Sequence, residues 1–476
     1  MDLSSDAVAR SVDKCVKCGR CVTACSHLQD MNILGFTSRG DHAHVDTPFA
    51  APLDMTLCIE CGLCSAYCPV GAITARSEVD AVLRELEGKR KVMVACTAPA
   101  TRVAIAEEVF MGEGENEEGR MVAGCGILGW TTGFDNVFDT NFSADLTIME
   151  EGSELISRLN GSGPWPMLTS CCPGWVNLVE KSHPELIPNL STARSPQAML
   201  SAMVKHPFAK KIGRDPADVC VVSVMPCTAK KHEAASDDFT FTDDKGRKVR
   251  ETDHVITTRE LGHIFRLLRV PLAQLKPSDY DPTLGVATGA GVIFGVTGGV
   301  MEAAVRTAQV LTGVESPIPL GALHDVRGLQ GVKSATVAVK NAKGEEVPVR
   351  VAVAHGGRNV KELLKKMEKK EVEFDFVEIM MCPGGCIGGG GQPKSKSRDI
   401  LQKRMAAVYD EDERKVLRRS HENPMIHELY KEFLGAPLSE TAHHYLHTHY
   451  HDRSHTHDPT PETRGDGKPG ARCPTF

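Results

Sequence analysis

The sequence predicts three parts in order: a small α+β domain, an α/β body with mainly parallel strands, and a charged helical segment near the C-terminus. Three observations carry this reading. Two four-cysteine runs, at 15–25 and 58–68, sit in turn-rich sequence. From about residue 90, short apolar runs alternate with longer amphipathic ones, the order of strands and crossover helices in α/β sheets. After Ser397, apolar residues recur at helical spacing among many charges.

The chain of 476 residues is long enough for two to four domains. At 41% hydrophobic and 25% charged it has the composition of a globular protein. A net charge of −7 gives no electrostatic reason to expect nucleic acid or a membrane surface as partner. No apolar run reaches the length of a membrane span. The opening "MDLSSDAVARSVDKC" lacks the pattern of a secretion signal or transit peptide, so a cytoplasmic location is expected. Thirteen of the seventeen cysteines cluster as metal ligands do, rather than scattering as disulfide partners.

The first part, 1–85, is defined by "CVKCGRCVTAC" and "CIECGLCSAYC", both of the form C-x2-C-x2-C-x3-C. Three cysteines on a tight turn cover three corners of a cubane, and the fourth ligand arrives from elsewhere. Zinc also takes C-x2-C pairs, but two complete four-cysteine runs favour 4Fe–4S clusters. This part resembles a bacterial-type two-cluster ferredoxin, which implies a ferredoxin-like α+β fold. The resemblance gives Cys15, Cys18, Cys21 and Cys68 to one cluster and Cys58, Cys61, Cys64 and Cys25 to the other.

In the body, 86–396, "KVMVACTAPA", "GPWPMLTSCC", "DVCVVSVMPC" and "FDFVEIMMCPGGC" each read as an apolar strand ending in a special turn. "PGWVNLVEKSH", "SPQAMLSAMVKH" and "TRELGHIFRLL" read as helices, with Pro173 tolerated in a first turn and Ser195–Pro196 a start signal. Functional loops gather at the carboxyl ends of parallel strands. Three of the four turns carry cysteine: Cys171 with Cys172, Cys227, and Cys382 with Cys386. Five thiols are one too many for a cubane.

"TSCCPGW", "MPCTAKKHE" and "EIMMCPGGCIGGGGQP" resemble, in order, the three signature segments of the iron-only, or FeFe, hydrogenases. The resemblance spans nearly the whole chain, and it implies reversible reduction of protons to H2. It implies an H-cluster whose cubane is held by Cys172, Cys227, Cys382 and Cys386. Cys386 would also bridge to a two-iron subcluster carrying CO, CN and an azadithiolate. The same resemblance implies that Cys171 is not a ligand and passes protons to that subcluster, and burial would keep its thiol protonated. The family spacing carries the proton relay onto Glu151, Glu154 and Ser191, with Arg158 at the surface end. Without the resemblance, Glu151 and Glu154 would read as a solvated helix face.

Lys230, three residues after Cys227, would hold a cyanide nitrogen by a charge-assisted hydrogen bond. Pro99, Gln197, Met225, Phe294 and Met380 correspond to positions lining the two-iron pocket. Core packing is the plainer reading of the methionines and Phe294. Ala100 stands where the family often has serine, so a hydroxyl donor is missing. The run Gly388–Gly391 suits close backbone approach to the inorganic core better than a flexible linker. "AGCGILGWTTGFDNVFDTN" departs from the family pattern, and its Cys125 matches no ligand position. Cys96 and Cys220 read as inert buried thiols.

Residues 397–451 resemble the helical strap that is a separate small subunit in periplasmic relatives. The His-rich end, 452–476 with Cys473, is expected to be a disordered tail. The expected partners are ferredoxin or flavodoxin as electron carrier, H2 and protons as substrates, and maturation proteins for the two-iron unit. Two other readings stand: a non-catalytic iron–sulfur assembly protein of the same superfamily, and an electron-transfer polyferredoxin. Neither needs Cys171, Lys230 or the Glu–Ser relay. A hydrogen-sensing relative would be expected to lose the relay cysteine or add a sensor domain.

Overall fold

The computed structural model describes residues 1–128 and 133–457. Near the N-terminus, strands β1 (Val8–Arg10) and β4 (Ile73–Ala75) pair antiparallel, as do β2 (Gly35–Thr37) and β3 (His44–Asp46). Short helices start immediately after Gly19 and Gly62, both left-handed in φ, and carry the later cysteines of each run. A glycine at each position allows the turn that no L side chain adopts easily.

The following strands are β5 (Val92–Thr97), β6 (Asn136–Asp139), β7 (Met167–Leu168), β8 (Val219–Met225), β9 (Thr240–Thr242), β10 (Lys248–Arg250), β11 (His254–Thr257), β12 (Val332–Lys340), β13 (Glu346–His355) and β14 (Phe376–Met380). They build two four-stranded sheets and the β9–β10 hairpin. The first sheet has order β11-β8-β5-β6 and is parallel throughout. The second has order β12-β13-β14-β7 and is parallel except for the β12–β13 pair. Strands β5, β8 and β14 are nearly continuous apolar runs, as expected where both faces of a sheet are covered. The segment read as a strand before Cys171 shortens to β7's two residues. Pro164 and Pro166 precede it and cannot donate to a ladder.

The helix Thr140–Leu159 follows β6, and Asp139 caps it by accepting from the Asn141 amide at 2.9 Å. It packs against the helices Pro196–Met203 and Gly299–Leu311. Its interior position buries Asp145, Glu150, Glu151 and Arg158 as well as its apolar residues. The expected helices at 173–183 and 258–268 form as Pro173–Ser182 and Thr258–Leu267, the latter with a capping box between Thr257 and Glu260. Helix Glu118–Gly126 contains buried Cys125, and residues 129–132 of the glycine-rich departure lie outside the described residues.

The C-terminal segment is helical at Ile400–Arg414 and wraps the body through buried ion pairs. Arg404 pairs with Glu107 at 2.6 Å and Asp412 with Arg306 at 2.8 Å. Within the tail expected to be disordered from 452, Arg453 is anchored: it donates its amide to Glu180 O at 2.8 Å and pairs with that side chain at 3.1 Å. Residues 458–476, including Cys473, lie outside the described residues. Among the described residues no helix is long and apolar enough to cross a membrane.

Candidate functional site

The carboxyl ends of strands from both sheets face one cavity of about 90 Å3. Cys171 and Cys172 follow β7, Cys227 follows β8, and Cys382 and Cys386 follow β14; all five line it. The cysteine turns therefore converge from two sheets. Cys172 has extended backbone (φ −97°, ψ 103°), and Pro173 opens the next helix behind it. The Trp175 indole donates to Thr169 O at 3.0 Å and the Ile379 amide to Thr169 Oγ1 at 3.2 Å, fixing this turn against β14.

Pro99, Gln197, Met225, Phe294, Met380 and Lys230 also line the cavity. Ala100 does not; it is buried behind Pro99, with its carbonyl accepting from Gln392 Nε2 at 2.7 Å. Two buried polar atoms of the lining, Thr140 Oγ1 and Gln197 Oε1, have no hydrogen-bond partner in the protein.

The glycine run approaches polypeptide. A Cβ on Gly389 would stand 2.2 Å from Pro226 O, and one on Gly390 would stand 2.1 Å from Cys61 O. Its smallness therefore brings the Cys227 turn and an N-terminal cysteine loop against the Cys386 turn.

Lys230 Nζ lies 3.2 Å from Cys171 O and pairs with Glu233 at 2.9 Å. Glu233 also accepts from Gln197 Nε2 and Ser195 Oγ, both at 3.0 Å. Sequence reading missed Glu233, although its position three residues after Lys230 on one helix was a visible signal.

Behind Cys171 runs a line of polar groups. Glu151 is buried, and its Oε2 has no partner. Burial, then the Glu154 and Glu378 charges, push its carboxyl up to about 8 against the opposing pull of Arg158 and Ser191. Ser191 donates to Glu154 Oε2 at 2.7 Å. Arg158 holds Glu154 Oε1 through Nη2 at 2.6 Å and Nε at 3.1 Å. Burial, with Glu151 as the next cause, raises the Cys171 thiol well above the ordinary cysteine range.

The N-terminal cysteines fall into two further groups. Cys25, Cys58, Cys61 and Cys64 line one cavity, and Cys15, Cys18, Cys21 and Cys68 another. Each group takes its fourth member from the other run. The first group abuts the central cavity: Thr228 Oγ1 donates to Glu60 O at 2.7 Å, Lys181 Nζ to Cys58 O at 2.7 Å, and Gln29 Nε2 to Met381 O at 2.7 Å. Cys18 of the second group is exposed. Among the described residues no three His, Cys, Asp or Glu side chains form a single-ion site. Cys96, Cys125 and Cys220 are buried away from all three cavities.

Soft thiols at three adjoining sites, with buried Glu151 near enough to raise the Cys171 thiol at one of them, define a redox iron–sulfur enzyme that handles protons. Residues 91–390 match the family model described as iron only hydrogenase large subunit, C-terminal domain; 398–453 match iron hydrogenase small subunit; and 14–72 match a 4Fe-4S dicluster domain. The NADP-reducing hydrogenase subunit HndD of Solidesulfovibrio fructosivorans is 44% identical over 94% of this chain and 75% of its own. Iron hydrogenase 1 of Clostridium pasteurianum is 38% identical over 94% and 77%. A solved structure of a variant of the FeFe-hydrogenase HydA1 from Chlamydomonas reinhardtii is 46% identical, with a TM-score of 0.69 over 79% of this chain and 99% of that one. Protein NAR1 of Arabidopsis thaliana is more distant, at 34% over 67% and 70%.

The chain belongs to the iron-only hydrogenase family. It is an enzyme of reversible proton reduction to H2, with 4Fe–4S clusters and an H-cluster as cofactors.

Proposed function

We propose that Cys172, Cys227, Cys382 and Cys386 would hold the H-cluster and that Cys171 is the proton donor and acceptor beside it. The observation that carries this reading is that five thiols line one cavity while a buried carboxyl line stands behind Cys171. The donor set fits the group: soft thiols, an apolar lining, two polar atoms without protein partners, and a buried lysine. When bound, the H-cluster would supply the redox chemistry that interconverts protons and H2.

The chain's own residues manage the protons. Glu154, held by Arg158, exchanges a proton with Ser191 Oγ, which passes one to Glu151. At neutral pH the raised Glu151 carboxyl keeps its proton, and so it can return one to Cys171 Sγ once that thiol has given up its own. Apolar Met225, Phe294 and Met380 exclude water around the pocket. Lys230 would hold a cyanide of the two-iron unit, oriented by Glu233. Gln197 and Pro99 complete the wall.

Electrons would enter at the Cys15, Cys18, Cys21 and Cys68 cluster, then pass the Cys25, Cys58, Cys61 and Cys64 cluster to the central cubane. Exposed Lys14, Lys17, Arg20 and Arg39 belong to the loops around exposed Cys18, beside exposed Val12, Val16, Phe36 and Val70. This apolar face with a cationic rim, on a chain of net charge −7, suits an acidic carrier such as ferredoxin or flavodoxin. At ~59 mV per pH unit the proton couple lies near ~−410 mV at neutral pH, close to the about −400 mV of plant-type ferredoxins. A cytoplasmic setting, with maturation proteins delivering the two-iron unit, completes the reading. The similarity to HndD favours a second arrangement in which a partner subunit supplies the electrons.

Infrared spectra of matured protein test the assignment. Bands of iron-bound CO and CN, removed with the two-iron unit, are expected. Their absence at normal iron content would favour the assembly-protein or polyferredoxin readings.

A further inference from the structure

We propose that the C-terminal strap is part of the relay's scaffold: His447 and Tyr450 are positioning residues that hold the Ser191 hydroxyl between Glu154 and Glu151. The inference rests on the assignment of Ser191 to the relay and adds how that hydroxyl is kept in place.

Ser191 lies in the segment 190–194, which follows the short helix Pro184–Asn189, belongs to no helix itself and makes only the isolated bridges Leu168–Leu190 and Ala193–His447. Three elements grip it. On the β7 side, the Ser191 amide donates to Leu168 O at 2.8 Å. From the relay helix, Arg158 donates to Leu190 O at 2.9 Å and Asn189 O at 3.2 Å. The strap supplies the third grip. Tyr450 donates its hydroxyl to Ser191 O at 2.8 Å, and the Thr448 amide donates to Thr192 O at 2.9 Å. The Arg194 amide returns a bond to Leu446 O at 2.8 Å, and Ala193 bridges antiparallel to His447.

His447 ties this segment back to the relay helix. Its Nδ1 lies 2.8 Å from Thr192 Oγ1, and its Nε2 lies 3.0 Å from Glu150 Oε2. Glu150 is the neighbour of Glu151 on the helix Thr140–Leu159, and its other oxygen accepts from the Tyr430 hydroxyl of the same strap. The Thr192 amide in turn donates to Glu154 Oε2 at 3.2 Å. One imidazole thus sets the distance between the segment carrying the hydroxyl and the helix carrying both carboxyls. Proton transfer needs heavy atoms within about 2.6–3.2 Å, and small misplacements are costly in rate. A strap that fixes this distance acts on the relay although it supplies no relay atom.

The test uses the full-length matured enzyme with Tyr450→Phe and His447→Gln, and Tyr445→Phe as control. Tyr445 sits on the same strap but stacks on His206 at 4.7 Å, away from Ser191. Four quantities are read: turnover, its solvent deuterium isotope effect, the CO and CN bands, and amide exchange of residues 189–194 in protein carrying only the cubanes. For Tyr450→Phe the expected result is turnover about tenfold lower, the scale of one hydrogen bond. A larger isotope effect, faster exchange at 189–194 and unchanged bands should accompany it, while Tyr445→Phe matches the unaltered enzyme. Unchanged turnover or isotope effect in Tyr450→Phe would overturn the proposal. So would loss of the bands, which would make the strap a brace for folding or cluster assembly. If His447→Gln does not fold, Tyr450→Phe decides alone. Loss of activity on replacing Ser191 itself, with Tyr450→Phe silent, would spare the relay and remove only the strap's role.

Discussion

Lys230 Nζ stands 3.2 Å from the carbonyl oxygen of Cys171, so a buried lysine of the cavity lining is tied to the main chain of the cysteine assigned to the proton. The same ammonium is held by Glu233, which leaves it oriented rather than mobile. Replacing Glu233 by leucine should loosen Lys230 and lower retention of the two-iron unit several-fold, while the cubanes stay. Infrared intensity against the cubane electron-paramagnetic signal measures this. Equal retention would remove Glu233 from the account.

Glu151 gives a pH prediction whose sign follows from its raised carboxyl. Its proton is present at neutral pH and is lost as pH rises through about 8. A protonated-carboxyl infrared band should therefore titrate near that value and be missing in Glu151→Gln, whose turnover should fall by orders of magnitude at every pH. A band that titrates in the ordinary carboxylate range would show that burial does not govern this group.

The electron port predicts a salt-dependent effect. Reversing Lys14, Lys17 and Arg20 to glutamate should slow reduction by an acidic protein carrier about tenfold at low ionic strength and much less at high salt. Reduction by a small dye should not fall. An equal loss with both donors would point to damage at the cluster itself.

Arg102 offers a stability prediction. It is fully buried, pairs with Asp139 at 2.6 Å and Glu411 at 2.9 Å, and also meets Glu118. Arg102→Met would leave these carboxylates uncompensated at the start of the relay helix and against the strap. A loss of about 3–5 kcal/mol is expected, visible as a lower urea midpoint.

What was legible in the sequence was the part written in cysteine spacing and strand–helix alternation. The crossed membership of the two N-terminal groups followed from a ferredoxin-like pattern, and Cys171, Cys227 and Cys382 fall at strand ends because apolar runs stop there. The meeting of two sheets was not legible, because nothing in "DVCVVSVMPC" or "FDFVEIMMC" states which neighbour each strand pairs with. The glycine run was read for approach to the cluster; Gly389 lines the central cavity, and what the sequence did not show is that Gly389 and Gly390 also press on Pro226 and Cys61 backbone. Glu233 was missed because two of its three partners, Ser195 and Gln197, come from a segment more than thirty positions away. The roles of His447 and Tyr450 depend on contacts spanning more than 250 positions, which local patterning cannot carry.

Side chains that sit next to one another at 171 and 172 but serve iron and hydrogen separately form the core of this account. The most direct measurement is turnover of matured Cys171→Ala together with its iron content and CO and CN bands. The account predicts near-complete loss of turnover with iron and bands retained. Turnover kept in that variant, or loss of a cubane's iron with the thiol, would contradict it.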